Sequence, residues 1–189
     1  MASVRLTARR GFTLIEMIFV LAMMGILFAI TIPRIRVSPI KKVRIAAQQL
    51  TQDLEVARTR AMATKKNARI VFAVGGNSYT GYLDDDRDGI FGLTQAESRA
   101  LGARGRVELP RGVQFGIGGA TALPSDPGAP PVTLAANTVE FSPRGVTVPF
   151  GSRGTIYLVH ANDPNAVSAV TITAAGSFQW WTFVGGTWQ

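Results

Sequence analysis

The chain has 189 residues with 20 basic and 12 acidic side chains, and its formal net charge is +8 at pH 7. It contains no cysteine, which excludes disulfides and thiolate metal sites. His160 is the single histidine and no phosphate-binding glycine loop is present, so we expect no enzyme and no cofactor.

An apolar segment at residues 12–32 follows a short basic leader. At about 1.5 Å per helical residue it can cross roughly 30 Å of hydrocarbon, and it leaves no polar face. We therefore predict a transmembrane helix over residues 12–33. The leader holds three arginines, Arg5, Arg9 and Arg10. By the positive-inside rule they stay cytoplasmic and place the rest of the chain across the membrane.

A secretory signal peptide also has a basic start and an apolar middle. Residues 31–35 offer no small-x-small cleavage motif, however, and Glu16 lies inside the apolar run. A carboxylate at the centre of a membrane helix costs on the order of 2.5 to 3.5 kcal/mol, and less near the edge. This cost indicates that the carboxylate has a function beyond insertion.

The N-terminal pattern combines Gly-Phe-Thr-Leu-Ile-Glu at residues 11–16, the basic leader, the apolar helix and Pro33. It resembles the class III signal of type IV pilins and pseudopilins. The resemblance implies that a prepilin peptidase removes residues 1–11 as a leader peptide by cleaving after Gly11. It also implies N-methylation of Phe12, which makes Glu16 the fifth mature residue.

Glu16 has two interpretations. A carboxylate near the start of one helix can pair with the cationic amino terminus of a neighbouring subunit, and a buried charge is tolerated when it is paired. Such a pair favours one axial offset between stacked helices and so sets the register of assembly. Alternatively, Glu16 lies at the headgroup level and marks the helix start.

Residues 40–63 carry apolar side chains close to a 3.6-residue period. These are Val43, Ala47, Leu50, Leu54, Ala57 and Ala61. We predict an amphipathic continuation of the helix over residues 34–66 that packs on a domain. Pro33 and Pro39 are expected to kink or interrupt the path, because proline removes a backbone donor and clashes with the preceding turn.

Short β-rich runs then predict an extracytoplasmic β-rich domain over residues 67–189. The turn residues Gly75, Gly76 and Asn77 predict a hairpin between residues 68–74 and 78–83. Further strands are predicted at residues 107–109, 113–117, 138–141, 155–159, 169–173 and 178–183. The predicted fold class is α+β, pilin-like, with a long N-terminal helix packed on an antiparallel β-sheet domain. Residues 118–131 are predicted to form a surface loop.

This order of elements resembles the GspH/FimT family of minor pseudopilins and minor pilins, which are type II secretion system protein H-like. The helix-to-hairpin start, the Asp-rich turn at residues 84–89 and residues 139–145 carry the resemblance. It implies a structural subunit of a type II secretion pseudopilus or a type IV pilus, which takes part in assembly and protein secretion. The location implied is the bacterial inner membrane, single-pass, with a periplasmic domain. Implied partners are other pilin subunits, the prepilin peptidase, membrane lipid and a secreted protein.

One branch of this family binds DNA during uptake through basic residues near its C-terminal tail. Residues 176–189 contain no lysine or arginine, which disfavours a nucleic-acid partner. Candidates for a basic patch remain at Arg99, Arg104, Arg106 and Arg111. Alternatively, these arginines form an ordinary solvated face.

Residues 84–89 resemble the opening of a calcium loop, with oxygen ligands at alternating positions and a glycine for the turn. Gln95 stands where an EF-hand has glutamate, which argues against a standard EF-hand. Candidate ligands for another kind of Ca²⁺ loop are Asp84, Asp86, Asp88 and Glu97. The alternative is an acidic hairpin turn that binds no metal.

The tail is rich in aromatic residues. Two sets of aromatic side chains are alternative candidates for burial against a sheet. One set is Phe178, Trp180 and Phe183, and the other is Trp181 and Trp188. Exposed tryptophans are instead candidates for a subunit or substrate contact, because aromatic residues are enriched at interface hot spots.

We predict that the protein purified from its native membrane begins at N-methylated Phe12. Mass spectrometry of the intact protein and of its N-terminal peptide measures this directly. The control is protein from cells that lack the prepilin peptidase, which should retain Met1. Retention of residues 1–11 in the wild type would make the segment an unprocessed membrane anchor.

Overall fold

The structure is a computed structural model that describes residues 12–31, 38–91, 97, 100–101, 105–124 and 131–189, with side chains of the first range described to residue 29. The chain divides into two compact units, Met1–Val37 and Ser38–Gln189. Among the described residues, the first contains one α-helix, and the second contains one α-helix, two short 3-10 helices and ten strands.

Helix α1 spans Leu14–Thr31. Its first turn is capped by Thr13, whose Oγ1 accepts a hydrogen bond from the Glu16 N–H at 3.2 Å. The Met17 N–H bonds the Thr13 carbonyl at 3.2 Å, which makes Thr13 the N-cap residue. Within the described part of the chain, no helix combines the length and apolarity that a bilayer crossing requires. Pro33 lies outside the described residues.

Helix α2 spans Pro39–Thr64. Pro39 begins this helix, at a position where the missing N–H has no intrahelical partner to lose. Lys65 ends it in a left-handed conformation, with φ of 55°, and its N–H bonds the Ala61 carbonyl. All six apolar positions of the predicted stripe are buried, as is Ala46.

The strands form two antiparallel five-stranded sheets. The first has the order β3-β2-β1-β5-β6 and the second β10-β9-β8-β7-β4. The first sheet contains β1 (Ala68–Ala73), β2 (Ser78–Leu83), β3 (Arg106–Glu108), β5 (Thr138–Phe141) and β6 (Thr147–Val148). The second contains β4 (Val113–Phe115), β7 (Gly154–His160), β8 (Asp163–Ile172), β9 (Phe178–Val184) and β10 (Thr187–Trp188).

Every predicted strand has a counterpart, and the α+β class is confirmed. Strands β6 and β10 were not predicted, because two residues are too few to display an alternating pattern. The division of the β region into two sheets was also absent from the prediction. Of the predicted loop at residues 118–131, positions 125–130 lie outside the described residues.

The buried side of α2 packs against strands of both sheets. Leu50 and Leu54 are fully buried in the same cluster as Ile70 and Phe141 of the first sheet and Ile156 of the second. Burial of one such side chain contributes about 1.5 to 3 kcal/mol. A polar contact accompanies this packing: the Tyr79 hydroxyl of β2 donates to Asp53 Oδ2 of α2 at 2.5 Å.

Two turns approach α2 closely because each contains a glycine. Arg58 Nε donates to the Gly145 carbonyl at 2.8 Å, in the turn between β5 and β6. Gly176, in the turn between β8 and β9, has φ of +75°, and a Cβ at this position would lie 2.3 Å from that same carbonyl. One turn from each sheet and one helical side chain therefore meet at a point with no space for a methyl group.

We predict that Gly176→Ala lowers the free energy of unfolding more than Gly185→Ala does. Both glycines have positive φ, but a Cβ at Gly185 meets nothing within 4 Å. Gly185→Ala should therefore cost only the left-handed strain of about 1 to 2 kcal/mol. Gly176→Ala adds a steric term of about 1 to 3 kcal/mol.

The measurement is urea denaturation of the full-length protein in detergent micelles, followed by tryptophan fluorescence. The Gly185→Ala variant is the matched control for backbone strain. Equal losses of stability in the two variants would show that the close approach at Gly176 relaxes freely.

Candidate assembly site

The surface of α1 is apolar and exposed within the chain. The large apolar side chains of residues 12–28 are between 43% and 77% exposed. Contiguous apolar surface on this scale marks a site for lipid or for other protein chains. The candidate site therefore comprises the described part of this segment, including Phe12 and Glu16.

Glu16 lies in the first turn of α1 and is exposed. A carboxylate at this position interacts favourably with the positive end of the helix dipole. Among the described residues, no ion pair includes Glu16.

Thr13 is a site residue that the sequence analysis missed. Its side chain caps the backbone N–H of Glu16, and the two residues have the Thr-x-x-Glu spacing of a capping box. That spacing was the available signal. A capping box accepts Glu or Gln at this N3 position, so the spacing does not by itself require a charge.

The structure describes only part of the proposed processing site. Phe12 precedes α1 and is 74% exposed, whereas Gly11 lies outside the described residues. The assignment of these two residues to cleavage and methylation stays a prediction.

The basic candidates are likewise described in part. Arg106 lies on β3, an edge strand of the first sheet, and Arg111 lies in the turn before β4. Both are exposed. Arg99 and Arg104 lie outside the described residues, so the four-arginine patch stays untested.

Three of the four acidic candidates come together. One side-chain oxygen from each of Asp84, Asp86 and Asp88 lies within 4.8 Å of the others. Asp84 is buried, whereas Asp86 and Asp88 are exposed. Glu97 is also buried, but among the described residues it is not part of this group.

The aromatic residues of β9 divide between the two faces of the second sheet. Phe178 and Trp180 pack against the core that contains α2, and Phe178 meets Phe141 at a ring distance of 5.6 Å. Trp181 and Trp188 pack on the other face against Tyr157. Phe183 lies 5.2 Å from Trp188, so its predicted grouping with Phe178 was wrong. The reason is strand alternation, which places position 183 on the face of position 181.

Glu140 of β5, which lies in the segment 139–145, contacts one residue of β1 and one residue just before β1. Arg69 Nη2 lies 2.7 Å from Glu140 Oε2, and Asn67 Nδ2 donates to Glu140 Oε1 at 2.9 Å. Glu140 thereby ties β5 to β1 and its preceding turn. Its role is structural.

Residues 6–32 match the family model described as the prokaryotic N-terminal methylation motif. Over 75% of this chain, the fold matches the minor pseudopilin EpsH from the type 2 secretion system of Vibrio cholerae, with a TM-score of 0.51, 13% identity and coverage of 97% of that chain. A second structure of EpsH matches with a TM-score of 0.50, 16% identity and coverage of 76% and 95%. The chain shares the fold of this minor pseudopilin.

A further structural match is the type IV minor pilin FimU of Pseudomonas aeruginosa. It has a TM-score of 0.46 and 17% identity, with coverage of 79% of this chain and 93% of that one. No curated protein sequence matches the chain.

Proposed function

We propose that this chain is a minor pilin or minor pseudopilin, a structural subunit of a type IV pilus or a type II secretion pseudopilus. The observation that carries the proposal is the placement of a methylation motif on an exposed apolar helix with one carboxylate in its first turn. A chain with this N terminus and a separate globular unit has the two parts that a filament subunit needs: an apolar assembly helix and an outward domain.

The apolar segment is proposed to lie in the bacterial inner membrane before assembly. The leader arginines hold residues 1–11 on the cytoplasmic side, where the prepilin peptidase cleaves after Gly11. The unit Ser38–Gln189 then faces the periplasm. During assembly α1 exchanges lipid contacts for contacts with other subunits, so its apolar surface remains covered throughout.

Cleavage creates a new cationic group at the amino nitrogen of Phe12. N-methylation keeps the positive charge of that nitrogen and removes one of its protons. In the apolar centre of a filament an unpaired Glu16 carboxylate is costly, and the amino group of a neighbouring subunit removes that cost when the helices are offset correctly. The ion pair therefore selects one register among many that apolar packing alone would accept.

DNA uptake is not part of the proposed function. The described basic candidates are Arg106 and Arg111, and residues 176–189 carry no basic side chain. Type II secretion and type IV pilus assembly both fit the same geometry, so the proposal extends to either machine.

We predict that Glu16→Gln and Glu16→Ala each reduce incorporation into filaments by about tenfold or more, because one lost charge pair in an apolar interface costs about 3 to 5 kcal/mol. Glu16→Gln is the sharper variant, since glutamine also serves at the N3 position of a capping box. Incorporation is measured by immunoblot of sheared filaments from native cells, normalised to the processed membrane pool.

Thr13→Ala is the matched control, because it removes the helix cap and keeps the Glu16 charge. It should change incorporation much less than Glu16→Gln. Normal incorporation of the Glu16→Gln variant would overturn the pairing mechanism. Absence of the wild-type chain from every filament fraction would overturn the subunit function itself.

A further inference from the structure

The loop after β2 brings three carboxylates to one point. The ligand oxygens of Asp84, Asp86 and Asp88 lie within 4.8 Å of one another. Oxygens that bind one calcium ion at 2.3 to 2.6 Å are separated by at most about 5 Å. The three side chains therefore already have the mutual spacing that a single bound cation requires.

Asp84 supplies an independent observation that points to a ligand. Asp84 is only 4% exposed, and its Oδ1 is buried with no hydrogen-bond partner among the described residues. The backbone at this position is fixed, because the Asp84 N–H donates to the Asn67 carbonyl at 2.9 Å. A buried carboxylate oxygen without a donor is costly, and a cation beside it removes that cost.

The other two carboxylates are held in place and keep free coordination capacity. Asp86 Oδ1 accepts the Asp88 N–H at 3.3 Å, and Asp88 Oδ1 accepts the Ile90 N–H at 2.7 Å. Each hydrogen bond engages one oxygen of a group that has two. Both side chains are exposed, so a cation can enter from solvent.

Two basic residues near the loop, Lys66 and Arg69, pair with other groups. Lys66 Nζ contacts Asp85 instead, at 2.9 Å from its carbonyl and 2.5 Å from Oδ1. Arg69 pairs with Glu140. Among the described residues, no ion pair includes Asp84, Asp86 or Asp88.

We propose that Asp84, Asp86 and Asp88 bind one Ca²⁺ ion. Carboxylate oxygens are hard ligands, which favours Ca²⁺ or Mg²⁺ over metals that prefer nitrogen or sulfur. Calcium accepts the irregular geometry of a surface loop, whereas magnesium demands a near-ideal octahedron and retains its waters. Water and backbone carbonyls complete the coordination. This site is independent of the filament function and fixes the loop that leaves β2.

The first test is isothermal titration calorimetry of CaCl₂ into the full-length, EDTA-treated protein in detergent micelles. We expect one Ca²⁺ per chain with a dissociation constant of about 10⁻⁴ to 10⁻³ M, the range of extracellular calcium modules. Thermal unfolding at about ten times that concentration should show a higher Tm, since an ion that binds only the folded state stabilises it. Absence of binding, or an equal rise in Tm with MgCl₂, would overturn the proposal.

Asp86→Asn and Asp88→Asn should each weaken calcium binding by about tenfold or more, because affinity depends on the number of charged ligands. Asp85→Asn is the matched control: it changes the same charge in the same loop, outside the cluster. It should leave the dissociation constant within about twofold of wild type, as expected for an exposed charge screened by solvent. Equal weakening in the Asp85→Asn variant would mean diffuse attraction of cations and no defined site.

The Tm of the Asp84→Asn variant should compare differently with that of wild type in EDTA and in CaCl₂. In EDTA its Tm should equal or exceed that of wild type, because the substitution removes a buried charge and keeps the volume. With CaCl₂ its Tm should not rise. A Tm in EDTA well below that of wild type, together with a normal calcium response, would contradict the assignment of Asp84 as a ligand.

Discussion

Burial of the α2 stripe is the interaction on which the globular unit depends. The stripe lies against strands of both sheets, and Leu50 and Leu54 belong to the same cluster as Phe141 and Ile156. Each sheet would otherwise expose an apolar face to water. A helix with a narrow apolar stripe is suited to this role because its opposite face stays polar and solvated.

Polar contacts give this apolar packing a defined geometry. Tyr79 donates to Asp53, and Arg58 donates to the Gly145 carbonyl, so α2 is positioned along its axis as well as against the sheets. The hydrophobic effect alone tolerates sliding, because it depends on buried area and has no direction. Directional hydrogen bonds at two points of the helix remove that freedom.

Helix α1 differs from α2 in what covers its apolar surface. It has no polar face, and its large side chains are exposed within this chain, so lipid or other subunits must cover it. The first turn of α1 carries one carboxylate, that of Glu16. The capping contact from Thr13 fixes where the helix begins and therefore where that charge lies.

The sequence by itself determined the features that depend on neighbouring residues. The 3.6-residue period specified the buried side of α2, and alternation with turn residues located eight strands. The motif at residues 11–16 marked the candidate assembly site, and the Asp-rich run marked the loop that follows β2. Each of these signals lies within a short segment of the chain, so it can be recognised without knowledge of the fold.

Tertiary structure decided everything that depends on residues distant in sequence. The partition into two sheets and the crowding at Gly176 both require strands from separate parts of the chain. The burial of Asp84 beside two exposed carboxylates is of the same kind, since a run of aspartates looks uniformly solvent-exposed in sequence. The period of the apolar side chains shows which face of a helix or strand is buried. Only the packed structure determines which residues contact that face.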